Sequence, residues 1–189
     1  MQPARKGATY ADLIEVPEPL VAEIIDGDLY TSPRPASPHA TAASAIDGDL
    51  NGAFHRPTNG PDRPGGWWIL YEPELHLGPD VLVPDLAGWR RERLPVLRDI
   101  PYFDLAPDWA CEVVSPTTGA LDRSRKMPIN AREGIKHLWL VDPITRTLEV
   151  YGLENSRWVV VSTHGSKGMV RALPFDAIEL DIGRWWLDW

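Results

Sequence analysis

The sequence predicts a single α/β (α+β) domain around one mixed β-sheet flanked by helices, and three observations predict it. Apolar patterns run in the order helix, strand, strand, strand, helix, strand, with a hairpin pattern at either end. The stretch DWACEVVSP is nearly continuous apolar residues around Glu112, as expected of a central strand covered on both faces. A chain of 189 residues that is 43% hydrophobic and 24% charged can fill one core, so residues 1–189 are read as one domain.

Element by element, residues 1–8 read as a flexible tail and Tyr10–Leu20 as a short helix closed by a Pro-rich turn. AEIIDGDLYTSP carries Asp26-Gly27 between two apolar runs, a hairpin signal. After the loop PRPASP, His39 to about His55 is Ala-rich with apolar residues near helical spacing, which predicts a helix. PTNGPDRPGG is a loop by its proline and glycine content. WWILYEPELHL and VLVPDLAGW read as two strands joined by Gly78-Pro79-Asp80, and RRERLPVLRDIPYFDLAP as irregular connection. Beyond the central strand, Thr118 to Glu133 reads as a helix stopped by Gly134 at its C′ position. Pro128 must kink that helix or start its regular part. HLWLVDP is another buried strand, TLEVYGLENSRWVVVSTHG a hairpin turning at Asn155, and RALPFDAIELDIGRWWLDW one more strand with an aromatic end.

Composition excludes several classes. No apolar run reaches about 18 residues, so no membrane span is expected. The N-terminus lacks the apolar stretch of a secretory signal. The single cysteine, Cys111, excludes an internal disulfide or a cysteine zinc cluster and points to a reducing cytoplasm. A net charge of −8 argues against broad adhesion to nucleic acid. No phosphate-cradling glycine string occurs, and Ser115 and Ser124 lack a nucleophile-elbow context. The five histidines lack metal-ligand spacing, and His39 reads as a helix-start residue rather than a ligand. Most of the nine tryptophans fall in strand patterns and read as core. Trp185, Trp186 and Trp189 cluster at the end, where the chain's own sheet or a second copy would cover them; a homodimer is the expectation.

The chemistry rests on acids in apolar frames. Glu112 stands among Trp109, Ala110, Cys111, Val113 and Val114, where an unpaired carboxylate is costly without a metal, Lys or Arg beside it. The bland alternative is a strand-end acid in solvent or in a structural ion pair. Asp85 repeats the anomaly in LVPDLAGW, with a turn or edge feature as its bland reading. Two such acids on neighbouring strands would make an oxygen-rich site suited to Mg²⁺ or Mn²⁺. Lys126, fourteen residues after Glu112, would complete it if its helix packs back across the sheet. A lysine in DRSRK is otherwise simply solvated.

PDLAGWRRERLP, WACEVVSPTTGALDRSRK and AREGIKHLWLVDPITRTLEVY resemble the Uma-two-type family of restriction endonucleases, and the similarity runs from TYADLIEVPE to the tail. The resemblance implies a restriction-endonuclease-like, PD-(D/E)XK core with added terminal hairpins. It implies that Asp85 is the motif aspartate and Glu112 the acid of the (D/E)XK element. Val114 stands where the written motif has lysine, and the resemblance implies that Lys126 supplies it from the following helix. The family's early-hairpin acid maps onto Glu23, with Asp47 or Asp49 as competitors. Asp122 is a helix-start residue or a supporting acid. Asn130 and the pair His137-Leu138 depart from the family's usual residues.

The implied activity is Mg²⁺- or Mn²⁺-dependent hydrolysis of DNA, with the Val113 carbonyl as a further metal ligand. Arg90, Arg91, Arg93 and Arg98, with Arg123, Arg125 and Lys126, would supply phosphate contacts, or else form a solvated charged surface. Two other readings are a nuclease fold acting as a binding or regulatory module, and a metal hydrolase for a substrate other than nucleic acid.

Overall fold

The computed structural model describes residues 2–55, 60 and 62–186. Thr9 caps helix α1 (Tyr10–Ile14), with Asp12 closing the capping box. The short helix ends at Ile14, and the expected Pro-rich turn follows, because Pro17 and Pro19 cannot continue it. Leu20 instead opens strand β1 (Leu20–Ile25), which turns into β2 (Asp28–Pro33). The turn residues Asp26 and Gly27 have φ of 53° and 79°, the doubly left-handed geometry of the tightest hairpins. The expected flexible tail is held to this hairpin: the Ala4 and Arg5 amides donate to Leu29 O and the Ala8 amide to Gly27 O.

Prolines also divide the two long strands read from the sequence. The first breaks at Glu72-Pro73 into β3 (Trp67–Tyr71) and β4 (Leu75–Leu77). The second breaks at Val83-Pro84 into β5 (Asp80–Leu82) and β6 (Leu86–Arg90). A proline lacks the N–H that an interior ladder requires, so each run leaves one sheet and enters another. One mixed sheet is therefore corrected to three. β1, β2, β4 and β5 form an antiparallel sheet in the order β2-β1-β5-β4. The main sheet adds β7 (Trp109–Val113), β8 (His137–Asp142), β9 (Thr147–Glu154) and β10 (Arg157–Gly165), in the order β10-β9-β8-β7-β6-β3. A two-stranded piece, β11 (Met169–Val170) and β12 (Leu180–Asp181), closes the chain.

β7 and β8 run parallel while the other described pairs of the main sheet run antiparallel. A parallel pair needs a crossover, and residues 119–132 supply it as one helical segment. That segment is a short α3 (Gly119–Leu121), a wide π-type turn over Asp122–Lys126, and α4 (Met127–Arg132). Pro128 explains the widening: it cannot donate to the carbonyl four residues back, so the helix opens by one residue ahead of it. Gly134, at φ 74°, ends the helix in the left-handed conformation expected of it.

The main sheet is buried on both faces. One face carries Trp67, Ile69, Leu86, Trp109, Cys111, Trp139 and Val141 against helix α2 (Ser37–Leu50) and Phe175. The other carries Ala87, Trp89, Ala110, Leu138 and Leu140 against α4 and the smaller sheet. Gly88 sits where an added Cβ would lie 3.1–3.2 Å from Ile69, Trp67 and Trp109, so a larger residue there would press on those side chains. Trp185 is fully buried in the α2 face and donates to Asp49 Oδ2 at 2.9 Å, and Trp186 donates to Ser166 O. These two tail residues thus pack on their own domain. Trp189 and parts of the expected 57–66 loop (57–59 and 61) lie outside the described residues. No helix among the described residues is long and apolar enough to cross a membrane.

Candidate active site

The strand register builds the site. β6 and β7 pair antiparallel with Leu86 opposite Cys111 and Ala87 opposite Ala110. Continued by one residue, this register sets Asp85 opposite Glu112, on the same face by the two-residue alternation of a strand. That face is the one on which the crossover helix packs. The Val113 amide donates to Asp85 Oδ2 at 2.7 Å, fixing the carboxylate just before β6 begins.

Lys126 reaches this face from the wide helical turn. Its ammonium lies 2.8 Å from Glu112 Oε1, 3.0 Å from Glu23 Oε1 and 3.7 Å from Asp122 Oδ1. All four side chains are nearly closed to solvent, at 4% exposure for Lys126 and 12% for the most open, Glu23. Glu23 arrives from β1 and is held by the Val83 amide at 2.8 Å. Glu112 is therefore neither solvated nor unpaired.

These residues floor a cavity of about 370 Å³ whose walls are mainly apolar, from Val21, Pro33, Pro38, Val114 and Ile144. His39, from the first turn of α2, also lines it, with Nε2 3.2 Å from Asp85 Oδ1. Sequence reasoning placed His39 at a helix start, which is correct, but missed its contact with Asp85. The signal was present in its spacing: His39 precedes the buried Ala42, Ala43 and Ile46 at three, four and seven residues, the core stripe of α2.

Two competing acids are not brought here. Asp47 bonds with Asn51 on α2, and Asp49 accepts from Trp185. The arginine patch is not assembled at the cavity either. Arg90 and Arg91 stack over Trp67 and Trp68 at the opposite end of β6 from Asp85, and Arg93 pairs with Asp108 at 2.7 Å. Arg123 and Arg125 pair with Glu149 and Asp26.

Three acids thus pair with one lysine, and Asp85 lines the same cavity. Burial pulls the Lys126 amine toward its neutral form, but Glu112, Glu23 and Asp122 outweigh it and hold the ammonium well above its ordinary range. Burial raises Glu112 well above the usual carboxylate range despite Lys126, with Asp122, Asp85 and Glu23 adding repulsion. Asp122 is pushed up to about 6, by burial first and against the pull of Lys126. The excess negative charge suits a hard divalent cation. Among the described residues no three His, Cys, Asp or Glu side chains form a ready cage. Asp85 and Glu112 offer carboxylate oxygens, the donor type that hard divalent cations take.

The architecture is a mixed α/β fold with mixed and antiparallel sheets flanked by helices. The family model described as "Uma2: Putative restriction endonuclease" matches residues 8–183, and the chain belongs to that family. A solved structure described as a "putative nuclease belonging to DUF820", from Anabaena variabilis ATCC 29413, has the same fold. It aligns with a TM-score of 0.73 at 22% identity, covering 94% of this chain and 97% of that one. No curated protein matches the sequence.

The raised Asp122 gives a pH prediction. An acid whose folded pKa lies above its unfolded value supports the fold fully below about pH 4, and the support is lost as pH rises through about 6. Asp122→Asn fixes the neutral form. It is expected to exceed the parent in stability by roughly 1–3 kcal/mol at about pH 8 and to match it near about pH 4. Urea unfolding at both pH values measures the difference; a variant less stable at the higher pH would show that Lys126 requires the charged aspartate.

Proposed function

We propose that the protein is a Mg²⁺- or Mn²⁺-dependent endonuclease that hydrolyses DNA phosphodiester bonds through Asp85, Glu112, Lys126 and Glu23. The observation that carries this reading is the buried Lys126 ammonium lodged between Glu112 and Glu23, in a cavity that Asp85 also lines. Asp85 and Glu112 would hold the ion, with the Val113 carbonyl as a further donor. A bound ion of this kind neutralises phosphate charge and turns its water into a nucleophile near neutral pH. Lys126 would stabilise the negative charge that develops on the phosphoryl oxygens as the bond breaks. Glu23 acts through Lys126, steering the ammonium from its fixed place on β1. The Val113 amide keeps Asp85 from turning away from the cavity.

A binding or regulatory role on a nuclease fold is the second reading, and one observation favours it. Arg90, Arg91, Arg93, Arg123 and Arg125, expected to grip phosphate, are engaged within the chain, so affinity for DNA should be weak and strongly salt-dependent. Cytoplasmic residence is part of the proposal, with Cys111 buried and unpaired. So is a homodimer, for which the exposed Val159, Val160 and Val161 on the edge strand β10 now give the reason in place of the tail. Sedimentation at micromolar concentration is expected to give a dimer, and a monomer would remove it.

Cleavage assays test the central claim. Mg²⁺ or Mn²⁺ should support slow DNA cleavage that Glu112→Gln abolishes while the fold survives, since the change keeps the shape and removes the charge. Lys126→Met should keep ion binding and slow turnover, because its work lies in the transition state. It should also unfold more easily, having left buried carboxylates without their cation. Equal residual cleavage by parent and both variants would mark a contaminant and leave the binding role.

A further inference from the structure

The cavity holds one strong metal donor that neither motif nor pairing pattern accounts for, the His39 imidazole. Asp85 commits Oδ2 to the Val113 amide at 2.7 Å, which leaves Oδ1 as its oxygen for other partners. His39 Nε2 faces that oxygen at 3.2 Å. A charge-assisted N–H···O⁻ bond closes to about 2.7–2.9 Å, so the contact is long for a simple ion pair. In an octahedral ion with bonds of about 2.1–2.2 Å, adjacent donors lie roughly 3.0–3.1 Å apart. The Oδ1–Nε2 separation is close to such an edge.

His39 Nδ1 is buried and makes no hydrogen bond, and Asp85 Oδ1 is the acceptor that faces Nε2. An ion between Nε2 and Oδ1 would take the place of the Nε2 proton. His39 stands on the buried stripe of α2, four residues before Ala43, and both flanking elements of the cavity are packed.

We propose that His39 Nε2 is a ligand to the ion held at Asp85, and that it biases this site toward Mn²⁺ over Mg²⁺. The chemistry follows from donor type. Mg²⁺ prefers oxygen and gives up its waters reluctantly, whereas imidazole nitrogen suits the later divalent ions. A site of one or two carboxylates plus an imidazole discriminates between ions of similar size and equal charge. His39 thus sets which divalent ion the family's acids recruit in this chain.

The inference rests on the nuclease reading through the ion at Asp85, so the test reads the ion directly. Mn²⁺ is titrated into the intact protein and into His39→Gln, His39→Ala and Asp85→Asn, following the free-ion electron paramagnetic resonance signal. Mg²⁺ competes in a second series, and the bound Mn²⁺ is examined for histidine-nitrogen hyperfine coupling. Circular dichroism melts establish that each variant is folded, with His39→Gln keeping more of the polar volume if His39→Ala is not. The parent is expected to show the coupling and to favour Mn²⁺. Both His39 variants should lose the coupling and about tenfold in Mn²⁺ affinity, while Mg²⁺ affinity moves less than about threefold. Mn²⁺ bound at Asp85 without nitrogen coupling, or an equal loss for both ions, overturns the role of His39 and leaves the nuclease reading standing. If no ion binds, or Asp85→Asn binds as the parent does, both fall together.

Discussion

A buried ammonium among buried carboxylates is the constraint on which this structure turns. Lys126, Glu112, Glu23 and Asp122 come from a helical turn and two different sheets, and none could be buried alone at tolerable cost. Their mutual attraction offsets part of the desolvation, and backbone amides carry more of it, Val83 for Glu23 and Val113 for Asp85. Acids still outnumber cations, since Glu23, Glu112 and Asp122 pair with one lysine and Asp85 lines the same cavity. A site in that condition is stable enough to fold and still short of positive charge.

The architecture reads as a way of delivering those groups to one point. The antiparallel β6–β7 register sets the two acids opposite each other, and the parallel β7–β8 pair obliges a helix to cross that same face. Pro128 then widens the helix just where Lys126 must turn inward. The small sheet contributes Glu23 because prolines at 73 and 84 switch the chain out of the main sheet and back again. Each step follows from a local rule of backbone chemistry, and the cluster needs all of them at once.

Much of this was legible beforehand, for physical reasons. An acid in a run of apolar residues is expensive wherever it folds, so Glu112 and Asp85 stand out without coordinates. Turns were legible too, because Asp26-Gly27 and Asn155-Ser156 occupy left-handed conformations that few residues tolerate. What stayed hidden depends on tertiary arrangement. WWILYEPELHL has one strand-like pattern, yet its two halves serve different sheets, and nothing in the alternation marks the change except Pro73. The basic residues from Arg90 to Arg125 form a sequence cluster, but stacking and ion pairs disperse them in space. His39 was visible only as a helix-start residue, since its partner Asp85 lies 46 residues on.

This acid cluster is proposed as a divalent-cation site in the folded protein. Thermal unfolding of the intact chain at about pH 8, with Mg²⁺ added against a sodium control of equal ionic strength, tests it most directly. Binding to the folded state alone must raise the unfolding temperature in a saturable way, by roughly 2.7 kcal/mol of stability at a hundredfold excess over Kd. The account predicts that rise for the parent and its loss in Asp85→Asn. An unfolding temperature that does not respond to Mg²⁺, or responds equally to sodium, would contradict it.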